Sequence, residues 1–179
     1  MSTRSWPRLF SVLASALAAA CVPQVAPEPT PAPPPVAARP TPRPVVQPLA
    51  DDWRDWPPTP GTWTYRQDGR GSLALFGPAG GDALLTLRCD RAARRMYVSR
   101  SGSAAAPLVI RTTSTTRQLS VQPTGGTPPY VAAALAADDR LLDAMAFSRG
   151  HIAVEQPGTA TLVVPAWAEI GRVTEDCRG

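Results

Sequence analysis

His151 is the only histidine, and it stands three residues after Ser148 in Ser148-Arg149-Gly150-His151, where a nucleophile and a base share one short segment. A serine hydrolase needs the hydroxyl against an imidazole nitrogen and a third group to orient the ring. Three residues across a glycine helix stop do not give that geometry, and no third group is indicated. The chain has no Gly-x-Ser-x-Gly, no His-Glu-x-x-His, no phosphate-binding glycine loop and no dinucleotide fingerprint. Carboxylate pairs at Asp138-Asp139 and Glu175-Asp176 suit general acid–base work in type. They read first as a helix cap and a solvated terminus. The pattern is that of a non-enzyme without a cofactor; a small hydrolase using Ser148 and His151 is the competing reading.

Binding chemistry is better represented. Arg88, Arg91, Arg94 and Arg95 crowd the turn after Cys89 and suit phosphate or carboxylate groups of lipopolysaccharide or peptidoglycan. The plainer reading is a solvated hairpin tip, balanced in part by Asp90. Trp53 and Trp56 sit among charges in Asp51-Asp52-Trp53-Arg54-Asp55-Trp56 and could form an aromatic platform for glycan, peptide or partner. Against that, a small domain uses large aromatics to cover its core, and this segment is where the domain begins. Together these six residues are the sequence's candidate binding set.

The cysteines carry a different chemistry. Arg4 and Arg8 form a positive region, Leu9 to Ala20 is a twelve-residue apolar run, and Ala18-Ala19-Ala20 is a small-residue cleavage region. Twelve residues fall short of the roughly 20 a helix needs to span a bilayer. Leu17-Ala18-Ala19-Ala20-Cys21 resembles a bacterial lipobox, which implies diacylglyceryl modification of Cys21 and removal of residues 1–20. Many lipoboxes carry Leu where Ala18 stands, and ordinary cleavage after the same Ala-x-Ala is the other reading. Val22 resembles the outer-membrane-sorted class, in contrast to the Asp that marks retention at the inner membrane. With Cys21 lipidated, Cys89 and Cys177 remain as one disulfide in an oxidising compartment. Two cysteines 88 residues apart with a lone histidine offer no metal-ligand spacing.

Composition sets the domain boundaries. Of 22 prolines in 179 residues, eleven fall between Val22 and Ala50, so residues 21–50 read as a lipidated cysteine followed by a proline-rich disordered linker. In polyproline II such a tract reaches at most about 90 Å. Residues 51–179 are left for one globular domain. The net charge of +4 resides largely in the leader and linker, since the domain has 14 arginines against 13 acids. No lysine occurs anywhere, so arginine takes every basic position. A nucleic-acid partner is accordingly not expected.

The elements that must position these residues follow a period of two, with turn signals every eight to twelve residues. Trp63 and Tyr65 share a face of the first strand, and Asp68-Gly69-Arg70-Gly71 turns into Ser72–Phe76. Ala83–Asp90 places Leu85, Leu87 and Cys89 on its inner face, and Arg95–Arg100 follows. Pro107–Val121 reads as one long arm, its Thr112-Thr113-Ser114-Thr115-Thr116 run suiting strand. Tyr130–Ala137 is assigned to strand. Asp138 or Asp139 caps a short helix bearing Leu141, Leu142 and Met145, stopped by Gly150. His151–Gln156 and Thr159–Val164 form a hairpin. Pro165 opens a last helix with Trp167, Ile170, Val173 and Cys177 on one face, which brings Cys177 towards Cys89. The expected fold is mainly β, an antiparallel sandwich or open barrel with a short helix after the main strands and a C-terminal helix.

Leu87-Arg88-Cys89, the strand pairs after it, Leu141-Leu142-Asp143-Ala144-Met145, a hairpin and a helix ending in Cys177 resemble uncharacterised lipoproteins of sphingomonad-type alphaproteobacteria. The layout also distantly resembles VasI-like accessory proteins of type VI secretion and invasion-associated locus B proteins. These resemblances imply an exported β-sandwich-like domain and supply no catalytic or ligand-binding residue. The expectation is thus an outer-membrane lipoprotein facing the periplasm, binding an envelope protein or cell-wall partner and attached to the membrane through its N-terminal lipid. The alternative is a protein inhibitor of an envelope-attacking hydrolase.

Overall fold

The computed structural model describes residues 50–179; Cys21, the leader and nearly all of the linker lie outside the described residues. The domain is mainly β, with ten strands in two antiparallel sheets, two α-helices and no closed barrel. β1 (Thr62–Asp68), β2 (Gly71–Gly77), β3 (Leu85–Asp90) and β4 (Arg95–Ser101) form a meander. It is completed by β8 (Tyr130–Ala136) and β7 (Gln122–Pro123), giving a six-stranded sheet in the order β1-β2-β3-β4-β8-β7. The second sheet runs β10 (Leu162–Pro165), β9 (His151–Glu155), β5 (Leu108–Arg111), β6 (Thr116–Leu119).

Alternation along the strands decides what faces inward. Ala74 and Phe76, Leu85, Leu87 and Cys89, Met96 and Val98, and Val131, Ala133 and Leu135 are buried on the inner face of the larger sheet. They join Leu108 and Ile110, Ile152 and Val154, and Val164 from the smaller sheet in one core. The Trp63 ring packs against Phe76, and its indole N–H donates across to the Pro165 carbonyl at 2.8 Å. Arg100 also crosses the sandwich. It is buried, with desolvation lowering its pKa from the usual guanidinium value, and it donates to the carbonyls of Val154 and Ala160. Paired with backbone rather than a carboxylate, it ties the two sheets at one end.

The tight β1–β2 turn has a specific cause. Asp68 accepts from the amides of Arg70 and Gly71, as an aspartate does when it mimics a turn. Gly71 has a φ of 152°, and a Cβ there would stand 2.6 Å from the Cys89 carbonyl oxygen. Only glycine fits.

α1 (Arg140–Ala146) is capped by Asp139, whose carboxylate accepts from the Leu141 amide, and it buries Leu141, Leu142 and Met145. α2 (Ala168–Arg178) packs against α1 and the first four strands, burying Ile170, Val173 and Cys177. Cys177 is disulfide-bonded to Cys89 with the Cα atoms 5.3 Å apart, so the inward parity of β3 and the stripe on α2 meet as the sequence predicts. Closing an 88-residue separation in this way is worth about 4 to 5 kcal/mol in the loop-entropy model.

Four local expectations are corrected. The arm expected over 107–121 is broken by a turn, because the Thr112 hydroxyl accepts from the Ser114 and Thr115 amides and the chain folds back as the β5–β6 hairpin. α1 ends at Ala146 with Phe147 as its C-cap, and Gly150 instead shapes the turn into β9 with a φ of 83°. Pro165 ends β10 and does not open α2. Trp167 is the N-cap of α2 and 48% exposed, off the buried stripe.

Candidate binding groove

The outer face of the six-stranded sheet carries the chemistry. Cross-strand register aligns Arg66, Leu73, Arg88, Tyr97 and Ala134 in one row, and Thr64, Leu75, Thr86, Ser99 and Ala132 in the next. Thr86, Ser99 and Ala132 are small, and taller side chains rise on either side of them. Arg66, Arg70, Arg88 and Tyr97 stand on one flank, and Asp82, Pro128 and Tyr130 come from loops and the start of β8 on the other. The result is an open groove of about 650 Å³. With strands about 4.8 Å apart, its floor from Leu75 to Ala132 runs about 14 Å across the sheet.

Arg70, Arg88 and Tyr130 are fixed by partners. Arg88 forms a two-pronged contact with Asp68 at 2.8 and 3.2 Å, and Arg70 reaches Asp90 at 2.7 Å. The Arg88 guanidinium and the Arg70 amide hold the Asp68 carboxyl down at about 2. Asp90 is likewise lowered, first by Arg70 and then by the Ala93 amide. The Tyr130 hydroxyl donates to the Ala83 carbonyl at 2.6 Å and fastens the 81–83 loop to β8. Burial raises the Tyr130 pKa, and the nearby Asp82 carboxylate adds to the effect. Arg66 and Asp82 form no ion pair among the described residues, and they belong to opposite flanks of the groove.

The arginine cluster read from the sequence is divided but stays at one end of this sheet. Arg88 enters the groove wall, whereas Arg91, Arg94 and Arg95 are exposed at the β3–β4 turn. The Arg91 amide donates to the Arg70 carbonyl at 3.0 Å, which places the β1–β2 and β3–β4 turns side by side. The two turns therefore share one basic rim.

Trp53 and Trp56 do not join that rim. Trp53 packs edge-on to His151 with ring centroids 5.3 Å apart, and its carbonyl lies 3.3 Å from His151 Nε2. The Trp56 indole N–H donates to the Ala50 carbonyl. This end is tied to the start of α2, where the Ala166 amide donates to the Gly150 carbonyl, whereas the basic rim adjoins Cys89 and hence the other end of α2. The helix of 11 residues separates those ties by about 16 Å. The six candidate residues thus belong to two regions, and the Trp53 segment folds back onto the domain.

Ser148 and His151 meet differently from a nucleophile and its base. The Ser148 hydroxyl donates to the His151 backbone carbonyl at 2.8 Å and accepts from the Thr113 amide at 3.1 Å. Both contacts fasten backbone, and the imidazole is turned to Trp53. Sequence reasoning missed Arg66, Tyr97, Asp82 and Tyr130 as neighbours. The available signal was the outward parity of Arg66, Arg88 and Tyr97, each on the polar phase of its strand. No family model matches the sequence, and no curated protein or solved structure matches it either.

Proposed function

We propose that the protein is an outer-membrane lipoprotein whose β-sandwich faces the periplasm and acts by binding, with the groove on the six-stranded sheet as its ligand site. The single observation that carries the binding reading is that groove, with a flat floor of small side chains, walls of arginine and tyrosine, and ion pairs that hold Arg70 and Arg88 in place. Pre-set side chains cost little to order when a ligand arrives, which is what a recognition site needs. The lipobox-like leader and the pairing of Cys89 with Cys177, which leaves Cys21 as the remaining cysteine, support the membrane tether.

The test has two arms. The N-terminal peptide of the mature protein should begin at Cys21 with the mass of a diacylglyceryl group and an acyl chain, and Cys21→Ser should move the protein out of the membrane fraction. A mature N-terminus at Cys21 without added mass overturns the tether. Separately, a deletion strain should be complemented by the wild type and by His151→Ala, and not by Arg66→Glu combined with Tyr97→Ala. Complementation by the groove variant and loss with His151→Ala in a folded protein would overturn the binding reading in favour of hydrolysis.

A further inference from the structure

We infer that the groove binds a cell-wall glycopeptide, a sugar strand bearing short peptides with carboxylates and a free amine. This inference rests on the groove being the binding site and names what occupies it. Arg66, Arg70, Arg88, Arg91, Arg94 and Arg95 lie on the outer face or on the two adjoining turns, and Asp68 and Asp90 are the carboxylates paired among them. Four guanidinium groups at this end, those of Arg66, Arg91, Arg94 and Arg95, have no ion-pair partner among the described residues. That end calls for anionic groups, which guanidinium binds in two-pronged fashion. The other flank has the opposite sign: Asp82 stands in the groove wall beside Tyr130, with no ion-pair partner among the described residues. A ligand carrying only phosphates, such as a lipid A headgroup, would satisfy the arginines and be repelled by Asp82. A ligand with carboxylates and an amine uses both flanks. Between them, the Thr86 and Ser99 hydroxyls and the half-buried Tyr97 ring offer hydrogen bonds and a flat apolar surface, which suit a sugar ring with its alternating polar edge and apolar face.

The experiment uses the full chain with Cys21→Ser, titrated calorimetrically with soluble disaccharide-peptide fragments released from purified sacculi. Two further titrants are the same fragments with the peptide removed and purified lipopolysaccharide. Binding is expected for the disaccharide-peptides and should weaken as salt is raised. Arg66→Glu should weaken it roughly ten-fold or more, since a hydrogen bond to a charged group is lost and the charge reversed. Asp82→Asn should weaken only fragments whose peptide amine is free, leaving fragments whose peptide amine has been acetylated unaffected. Both residues are exposed, so unchanged melting curves will show that the variants fold. Tighter binding of lipopolysaccharide than of disaccharide-peptide, or affinities indifferent to Arg66→Glu and Asp82→Asn, overturns the glycopeptide. If wild type captures lipopolysaccharide or an envelope protein and Arg66→Glu abolishes that capture, the groove remains the binding site and its occupant changes. If Arg66→Glu alters no interaction at all, the groove itself is overturned.

Discussion

Two regions of the domain collect arginines and aromatic rings, and they are built in opposite ways. On the outer face of the six-stranded sheet, Arg88 and Arg70 are held by Asp68 and Asp90, the strands beneath are in continuous register, and α2 is bonded to β3 from behind. Beside α1, Arg54, Arg140 and Arg149 surround an open hollow next to Phe147, which is 79% exposed. Asp143 lines the same hollow and is taken by Arg178, and Asp51, Asp52 and Asp55 flank Arg54 in sequence. Arginine number alone does not separate these regions; the balance of acids and the rigidity of the support do. The first has an excess of guanidinium on a continuous sheet, and the second is nearly neutral and built from one short helix, α1, and the turns around it.

The strongest way to break this contrast is to remove the staple behind the groove. Cys89→Ala with Cys177→Ala should cost about 4 to 5 kcal/mol of stability, read as a lowered melting temperature with the native fold retained at low temperature. A loss no larger than that of a surface substitution would mean that the groove's frame owes nothing to the bridge. Next in size is the second region's own fastening. Ser148→Ala orphans the Thr113 amide and the His151 carbonyl, and should cost about 1 to 2 kcal/mol in a denaturant titration. It should leave complementation of a deletion strain intact, where loss of a nucleophile would abolish it.

The smallest effect sharpens the account of the groove wall. Because the folded carboxyl of Asp68 titrates below its ordinary value of 3.8, its ionised form favours the fold above about pH 4. That contribution is lost as pH falls through about 2. Carboxyl carbon shifts followed by NMR should place the Asp68 midpoint near that value, and Arg88→Gln should return it towards the usual range. A midpoint unmoved by Arg88→Gln would show that the backbone amides of the turn, and not the guanidinium, hold Asp68 down.

Much of the sandwich is legible in the sequence because a strand's period of two places alternate residues on opposite faces. Leu85, Leu87 and Cys89 fall inward on that rule alone, and the helical spacing of Ile170, Val173 and Cys177 brings the second sulfur to the first. The threonine run misleads because β-branched side chains favour strands by packing, while a hydroxyl can serve the backbone of its own turn; Thr112 takes the second course. Trp167 misleads because helical spacing says nothing of where the helix begins. The groove is harder still to read. Arg66, Arg88, Tyr97 and Tyr130 come from four strands, and only the cross-strand register makes neighbours of them. Within one strand each is simply an outward-facing polar residue. The arginine cluster was visible because sequence proximity happened to gather it, yet two of the six arginines at this end, Arg66 and Arg70, belong to another hairpin.

The Cys89–Cys177 bridge also makes the timing of folding depend on compartment. A contribution of about 4 to 5 kcal/mol corresponds to roughly a thousand-fold in the ratio of folded to unfolded chains. The newly made chain, with both thiols reduced, lacks that factor, and its last helix has no covalent hold on the sheet it must cover. β3 is complete at Asp90, whereas Cys177 follows Cys89 by 88 residues. Lasting closure of the fold therefore waits for Cys177 to be made and for an oxidant. Until both are present, the last helix is held to the sheet by non-covalent contacts alone.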